Sequence, residues 1–236
     1  MTQIKFVNFY DVAEEYYPVP AKNLLPEWYK KSFGHVDNKK LLYSTAQDGG
    51  SSTIKKCLPV FDALTAGYII LSHEDVVVEN APDGTNATWW YWTNNSVPMI
   101  NFHGPQQAQL HPRKPDQLIP KFNNNWGIVT PPGYSCLIMS PMHRESMFLL
   151  YEAVVDTDTY AGRVHFTFSL KDPNWRGLIP AGTPIAQVIP FKRENYKMEI
   201  SNEEADIGAI EKATKRLKSV FVNGYKDKFW VKKEYN

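Results

Sequence analysis

The stretch Gly162-Arg-Val-His-Phe-Thr-Phe-Ser-Leu170 indicates the fold class of this chain of 236 residues. Its residues alternate between apolar and polar, which places Val164, Phe166, Phe168 and Leu170 on one face of an extended strand. A period of two is typical of a strand that buries one face and exposes the other. The stretch therefore predicts a sheet with a packed apolar side.

Six further segments share short length, apolar or β-branched residues, and Gly, Pro, Asn or Asp at their ends. They are residues 68–71, 76–78, 88–92, 134–139, 148–155 and 185–189. Turn sequences such as Pro131-Pro-Gly133 and Pro180-Ala-Gly182 separate them. The spacing predicts a mainly β protein of eight to ten strands, arranged as a sandwich or barrel.

Proline placement confines long helices to the two ends of the chain. Fourteen of the 17 prolines lie between Pro59 and Pro190, and an internal proline costs a helix about 3 kcal/mol. Residues 26–34 predict a short helix near the N-terminus, and residues 201–221 predict an amphipathic helix near the C-terminus.

The organisation that follows is an N-terminal extension with a short helix (residues 1–53), a β-barrel domain (54–192), and a C-terminal helix and tail (193–236). The apolar stripe of the C-terminal helix either packs on the barrel or forms a subunit contact. Its residues are Ile207, Ile210, Leu217 and Phe221.

Charge and cysteine content exclude several classes of protein. Lys plus Arg number 26 against 25 for Asp plus Glu, so no overall field gathers nucleic acid or an anionic membrane. Two cysteines, Cys57 and Cys136, suit a reducing compartment. No apolar run is long enough to cross a membrane. We therefore expect neither a nucleic-acid nor a membrane partner.

Motifs in a fixed order cover more than half of the chain. They are residues 65–70 (TAGYII), 127–134 (GIVTPPGY), 140–146 (SPMHRES), 154–164 (VVDTDTYAGRV) and 179–188 (IPAGTPIAQV). In order and spacing the series resembles the dUTPase and dCTP-deaminase superfamily. The same segments resemble an uncharacterised family of tailed phages, notably those of cyanobacteria, which implies a location in the host cytoplasm or the virion.

The dUTPase resemblance implies a β-clip or jelly-roll barrel that forms a homo-oligomer, with a trimer first, and nucleotide sites between subunits. It implies Asp156 as the catalytic carboxylate and Tyr160 as the pocket tyrosine. It further implies Arg144 and Ser146 as phosphate contacts, and Gln187 as the glutamine of the last motif. Mg²⁺ would be the cofactor of that activity; otherwise no cofactor is expected.

Several departures from the family pattern favour a non-hydrolytic structural or binding module. Ile69 stands where the first motif has an acid, and Glu145 places a negative charge where phosphates would bind. One extra residue separates Asp156 from Tyr160, and the glycine-rich closing arm is absent. The alternative is a Mg²⁺-dependent deoxynucleotide hydrolase or deaminase that uses Asp156.

Each of these polar residues also has a purely structural interpretation. Asp156 and Asp158 suit either a ligand site or turns in which they accept backbone N–H bonds. Arg144 and Glu145 suit a solvated ion pair.

The histidines suggest a second alternative, a jelly-roll enzyme with a metal ion in the barrel. Its ligands would be His103, His111, His143 and His165. Ordinary hydrogen-bonded histidines explain the same positions.

The strand Trp89-Trp-Tyr-Trp92 carries aromatic side chains on both faces. Trp89 and Tyr91 share one face, and Trp90 and Trp92 share the other. Either the aromatic N-terminal segment covers one face, or that face is a subunit interface, a stacking surface, or a contact with a phage or host protein.

Overall fold

The computed structural model describes residues 2–36, 52–83, 87–93, 98–113, 118–160, 162–218 and 224–236. The chain divides into two compact units. The first combines Met1–Leu24 with Gly67–Arg193, and the second combines Leu25–Ala66 with Glu194–Asn236. The boundaries expected at residues 53/54 and 192/193 stay predictions.

The first unit contains fourteen strands in its described part, more than the eight to ten predicted. They are β1 Lys5–Asn8, β2 Val19–Pro20, β3 Tyr68–Leu71, β4 Val76–Asn80, β5 Thr88–Trp92, β6 Ile100–His103, β7 Ile119–Phe122, β8 Trp126–Val129, β9 Tyr134–Met139, β10 Phe148–Leu150, β11 Ala153–Val155, β12 Phe166–Leu170, β13 Gly177–Ile179 and β14 Pro184–Lys192.

These strands pair antiparallel in four sheets. The strand orders are β1-β8, β10-β12-β7-β6, β11-β9-β14-β3-β2 and β13-β4-β5. Gln187 and Lys192 of β14 pair with Met139 and Tyr134 of β9, so β14 follows β9 along its whole length. The predicted mainly β class is confirmed.

An aromatic cluster forms the centre of the core. The Phe122 and Phe168 rings stack at 4.3 Å between centroids, and Phe148 lies 5.0 Å from Phe122. All three phenylalanines are fully buried. Burial of one such side chain stabilises the fold by roughly 1.5–3 kcal/mol, so this cluster anchors β7, β10 and β12 to one another.

Residues 162–170, whose alternation predicts a strand, form a strand over only part of their length. Phe166 and Phe168 are buried, and Val164 and Leu170 pack partly buried against the same core. The strand itself spans Phe166–Leu170, while Arg163 forms an isolated bridge with Gly127.

The aromatic strand β5 turns one face to the core and the other outward. Trp90 and Trp92 pack against the core, and the Trp90 ring lies 5.6 Å from the Phe168 ring. Trp89 and Tyr91 are about half exposed, at 52% and 41%. The inward face is therefore covered by the core itself, and a partner for the outward face stays a prediction.

The second unit contains the helices. They are α1 Glu27–Lys31, α2 Leu58–Thr65, α3 Glu204–Lys218 and α4 Gly224–Lys228. The short helix near the N-terminus and the helix near the C-terminus are thus confirmed. Asp62 of α2 holds the C-terminal tail, because its carboxylate accepts a 3.0 Å bond from the Trp230 indole and pairs with Lys233 at 2.6 Å.

Helix α2 is a short helix that the sequence patterns did not predict. Pro59 lies in its first turn, where a missing N–H breaks no intrahelical bond. Proline is disfavoured in the interior of a helix, but at position 59 it lies at the start of one.

The apolar side chains of α3 remain largely exposed in the single chain. Ile207, Ile210 and Leu217 are 51%, 70% and 38% exposed, and Phe221 lies outside the described residues. In the preceding segment Tyr196, also exposed, begins an apolar alternation continued by Met198 and Ile200.

Gly67 marks a very close approach between two backbone segments. A Cβ atom at this position would lie 2.0 Å from the Val188 carbonyl oxygen, and the residue has φ +66°. Its own carbonyl accepts a 2.9 Å bond from the Ala21 N–H. Only glycine fits this geometry.

Among the described residues, none of the helices combines the length and apolar character that a membrane crossing requires.

Candidate functional site

Strand β9 carries candidate residues at both of its ends. Its first residues lie beside the turn that follows β11, since Cys136 pairs with Val155. Its last residue leads into the loop of residues 140–147 before β10. We call the two ends the Asp156 end and the Arg144 end.

At the Asp156 end, one arginine joins three polar side chains. The Arg193 guanidinium donates to both carboxylate oxygens of Asp158, at 2.7 and 2.5 Å. It also lies 3.2 Å from Asp156 Oδ1 and donates to Ser135 Oγ at 3.0 Å. A fifth contact goes to the Tyr134 carbonyl at 3.1 Å. Arg193 is thus held by several acceptors of its own chain.

Asp158 performs a structural task in this cluster. Its side chain is only 5% exposed, and it also accepts a 2.8 Å bond from the Gly133 N–H. The hydrogen bonds from Arg193, followed by that from Gly133, lower the pKa of Asp158 from 3.8 to about 2. The carboxylate therefore ties the turn after β11 to the Pro131-Pro-Gly133 turn.

Asp156 is arranged differently from Asp158. Its side chain is 61% exposed, and its Oδ1 accepts a 2.7 Å bond from the buried Ser135 hydroxyl. The turn bonds from the Thr159 and Tyr160 N–H groups go to its backbone carbonyl instead, at 3.1 and 2.8 Å. The carboxylate is therefore held in place from one side and open to solvent on the other.

Two threonine hydroxyl groups, which pair with each other in the interior, support the turn that follows β11. The hydroxyls of Thr130 and Thr157 lie 2.7 Å apart, and the Thr157 hydroxyl also contacts the Cys136 sulfur at 3.4 Å. Thr157 is fully buried, between the exposed Asp156 and the largely buried Asp158. This packing fixes the Asp-Thr-Asp segment as a rigid platform.

At the Arg144 end, the loop is held by bonds from its own polar residues. The Met142 N–H donates to the buried Gln187 side chain at 2.9 Å. Ser140 Oγ accepts from the Leu150 N–H at 2.8 Å, and Ser146 Oγ accepts from the Phe148 N–H at 3.2 Å. Gln187 and Ser146 thus shape the loop that presents Arg144.

Two nitrogen atoms of Arg144 lack such bonds among the described residues. Its Nε and Nη2 atoms are buried and make no hydrogen bond to any described residue. Burial lowers the pKa of the Arg144 guanidinium below its usual value. The expected solvated pair with Glu145 is therefore wrong: Glu145 is exposed, while the guanidinium is partly buried without a counterion in the described part of the chain.

The residue before Arg144 has an unusual backbone. His143 adopts φ 54°, in the left-handed region that few non-glycine residues visit. Backbone strain of this kind concentrates at ligand-binding and switch segments.

Within one chain the two ends are far apart. The five steps from Ser135 to Ser140 along an extended strand span about 17 Å. The predicted phosphate contacts therefore follow one end of β9, and the predicted catalytic residue lies beside the other end.

The structure gives the positions of two further residues of the motif series, Tyr160 and Ile69. Tyr160 follows the Asp156 turn and is 55% exposed, so its ring is free to contact a ligand or partner. Ile69 lies fully buried in β3 and pairs with Gln187 of β14. The position that carries an acid in the resembled family is part of the apolar core here.

The histidines do not form the metal centre of the jelly-roll alternative. Among the described residues, no group of three or more His, Cys, Asp or Glu could hold a metal ion. His165 Nδ1 accepts a bond from the Asn124 N–H at 3.1 Å, whereas His103 and His111 line a surface groove. The described residues thus bring together no set of histidines of the kind that this alternative requires.

Arg193 and Ser135 are the site residues that sequence reasoning missed. Arg193 is 35 residues from Asp158 and follows the last motif, and no local pattern links the two. The one sequence feature that could have pointed to Ser135 is Gly133-Tyr-Ser135, because a hydroxyl residue next to a turn often forms side-chain hydrogen bonds.

No family model matches the sequence, and a search of curated proteins finds no match.

Solved structures of phage dUTPases resemble part of the chain. A dUTPase variant from Staphylococcus aureus phage phi11, described with a structural Mg(II) ion, is 14% identical; the match covers 58% of this chain and 84% of that one, with a TM-score of 0.32. A variant of the Staphylococcus bacteriophage 80alpha dUTPase with dUpNHpp is 13% identical, covering 86% and 89%, with a TM-score of 0.34. The 80alpha dUTPase itself is 13% identical, covering 86% and 97%, with a TM-score of 0.32. Values this low assign no activity to this chain.

Proposed function

We propose that this protein is a dUTPase-like binding module without hydrolytic activity, which holds a phosphate-bearing nucleotide between two copies of the chain. The observation that carries the proposal is Arg144, whose Nε and Nη2 atoms are buried without a hydrogen-bond partner in the described part of the chain. A buried guanidinium without a counterion is costly. An anion therefore completes the site, and phosphate is one of the two groups, with carboxylate, that the planar fork of arginine binds through two hydrogen bonds.

The separation of the two ends of β9 supports a site shared between chains. About 17 Å of strand keeps Arg144 away from Asp156 and Tyr160 in one chain. A homo-oligomer would place the Arg144 end of one copy beside the Asp156 end of the next, as the motif resemblance implies. A closed ring of three copies would create equivalent sites.

Exposed apolar side chains support assembly as well. Tyr196 and Met198 are each 84% exposed, and Ile200 is 78% exposed. Contiguous exposed apolar residues of this kind often mark contacts with another chain. The occupant we propose is a second copy of this chain.

The absence of hydrolysis follows from how the carboxylates are used. Asp158 is fully engaged by Arg193 and Gly133. The Asp156 carboxylate already accepts a hydrogen bond from Ser135 and lies 3.2 Å from the Arg193 guanidinium, so both groups compete with a water for its Oδ1 atom. Ile69 supplies no further acid, because it is an apolar core residue.

A Mg²⁺-dependent nucleotide hydrolase is the second candidate, and one observation favours it. The Asp156 carboxylate is 61% exposed on a turn that also exposes Tyr160. In that case Asp156 would accept a proton from the attacking water, while Mg²⁺ would be bound chiefly by the phosphates.

The test combines ligand binding with product formation. Wild type is incubated with dUTP, dCTP and dATP in the presence of Mg²⁺, and the melting temperature and the hydrolysis products, both phosphate and pyrophosphate, are measured. We expect at least one nucleotide to raise the melting temperature without turnover. Arg144→Gln abolishes that rise, whereas Arg163→Gln, which removes the same charge elsewhere, retains it.

Asp156→Asn separates the two candidates. In the non-hydrolytic module it leaves phosphate release at background. Turnover near 1 per second by wild type, lost in Asp156→Asn with its fold intact, contradicts the binding module and establishes the hydrolase. A monomer by light scattering at micromolar concentration, with nucleotide present, contradicts the shared site.

A further inference from the structure

A second candidate site lies on the outer face of the four-stranded sheet, away from both ends of β9. The loop after β6 folds over Ile119 of β7, which is only 2% exposed, and leaves an open groove of about 580 Å³. The groove is lined by His103, Gln107, Ala108, Gln109, Leu110, His111, Ile119, Tyr151 and Thr167. Its volume is within the range of small-ligand sites, about 300–1,000 Å³.

Hydrogen bonds fix the proton of His103. Gln107 Oε1 accepts from the Gly104 N–H at 3.0 Å, so this atom is an acceptor. His103 Nδ1 lies 2.9 Å from the same oxygen and must donate to it. In the neutral ring, Nε2 of His103 is therefore a hydrogen-bond acceptor.

His111 is fixed in the opposite tautomer. Its Nδ1 accepts from the Arg113 N–H at 3.1 Å, so the neutral ring carries its proton on Nε2. The His111 ring also packs edge-to-face on Tyr151, at 4.5 Å between centroids. The two histidines of the groove therefore offer one acceptor and one donor.

The walls of the groove favour a neutral ligand. Among the described residues, no Asp, Glu, Lys or Arg lines it, and the neighbouring Arg113 pairs with Glu152 at 2.5 Å. The groove also has apolar walls from Ala108, Ile119 and Leu110. Leu110 is 96% exposed at the rim, so a ligand that covers it would remove apolar surface from water.

We propose that this groove binds a neutral heterocycle with adjacent N–H and C=O groups, the cyclic-amide edge. The ligand N–H donates to Nε2 of His103, and its C=O accepts from the Nε2–H of His111. The ring lies against Ile119 and Ala108 under Leu110. Because no phosphate contact is involved, this site is independent of the Arg144 end.

The test uses uncharged nucleosides, which present this edge without phosphate. Uridine and inosine are titrated into isotopically labelled full-length protein, and binding is followed by NMR. N3-methyluridine serves as the ligand control, since it lacks the N–H donor. We expect saturable shifts at His103, His111 and Thr167 with a Kd of about 1 mM or tighter, and roughly fivefold or weaker binding of the methylated nucleoside.

Protein variants identify the groups responsible. His103→Phe and His111→Phe each keep an aromatic ring but remove the acceptor or the donor, and each weakens uridine binding roughly fivefold or more. Gln106→Ala, on the same turn but outside the groove, binds as wild type does. Because the shifts are read at His103, His111 and Thr167, binding in the groove is distinguished from binding at the proposed nucleotide site, which would shift Tyr160 instead.

Three results overturn the proposal. One is the absence of saturable shifts at the groove up to 10-fold above the expected Kd. Another is equal binding of uridine and N3-methyluridine. The last is an imidazole ¹⁵N spectrum in which His103 and His111 share one tautomer, since the complementary pair would then not exist.

Discussion

Two arginines at opposite ends of one strand have opposite environments. Arg193 contacts two carboxylates, a serine hydroxyl and a backbone carbonyl. Arg144 has two buried nitrogen atoms with no acceptor among the described residues. An arginine whose guanidinium is bound by acceptors of its own chain stabilises a turn. An arginine with buried N–H groups that lack acceptors is available to bind a ligand or a second chain. Arg193 therefore serves the stability of the fold, whereas Arg144 is the arginine available for binding.

The largest expected effect is that of Arg193→Gln. It leaves the Asp158 carboxylate, 5% exposed, without its principal partner. We expect the melting temperature to fall by more than about 5 °C at pH 7. Lys192→Gln removes the same charge one residue away and should lower it far less. Equal losses in the two variants would show that Arg193 acts only through net charge.

The pH dependence of stability tests the contact between Arg193 and Asp158 through the carboxylate of Asp158. The pKa of Asp158 falls from 3.8 to about 2 on folding. A lowered folded-state pKa contributes stability that is fully present above the unfolded value and is lost as pH falls from about 4 towards 2. We therefore expect urea unfolding of Asp158→Asn to depend less on pH in that window than wild type. Asp156→Asn is the matched control, and an identical flattening in it would contradict the assignment.

A smaller difference is expected between the serines at the two ends of β9. Ser135→Ala removes bonds to Asp156 and Arg193, at a cost of about 1.5 kcal/mol. Ser140→Ala removes one backbone bond, at a cost of about 0.5–1 kcal/mol. Chemical denaturation of both variants measures the difference. A larger loss from Ser140→Ala would reverse the comparison.

The smallest expected effect on stability is that of Arg144→Gln in the absence of ligand. The substitution removes a partly buried charge that has no acceptor in the described part of the chain, so the melting temperature should stay within about 1 °C of wild type or rise slightly. The assay is thermal unfolding without nucleotide, with Arg163→Gln as the control. A loss comparable to that of Arg193→Gln would mean that Arg144 already has an acceptor within the protein.

Local patterns predicted the strands whose side chains alternate, because alternation alone determines which face packs. Phe166 and Phe168 are buried as their period of two predicts. Strand β7, Ile119–Phe122, was missed because it is short and contains Pro120, although that residue pairs with Phe102. Helix α2 has no clear local signal, because Pro59 disfavours a helix interior although it is compatible with the first turn of a helix.

The candidate site was predictable only in part. The Val-Asp-Thr-Asp-Thr-Tyr segment pointed to Asp156, but its roles are divided between Asp156 and Asp158 by contacts from Arg193 and Gly133. Those contacts join residues 25 and 35 positions apart. Pairings over such distances depend on tertiary packing and leave no local pattern in one sequence.

Gly67 limits which sequences can share this fold. With the Val188 carbonyl oxygen 2.0 Å from where a Cβ would lie, position 67 tolerates no other amino acid without separating β3 from β14. Random mutagenesis followed by selection for folded protein should recover glycine alone at this codon, while Gly208, with nothing within 4 Å of its Cβ position, accepts many residues. Over evolutionary descent, position 67 would then stay fixed while residues around it diverge.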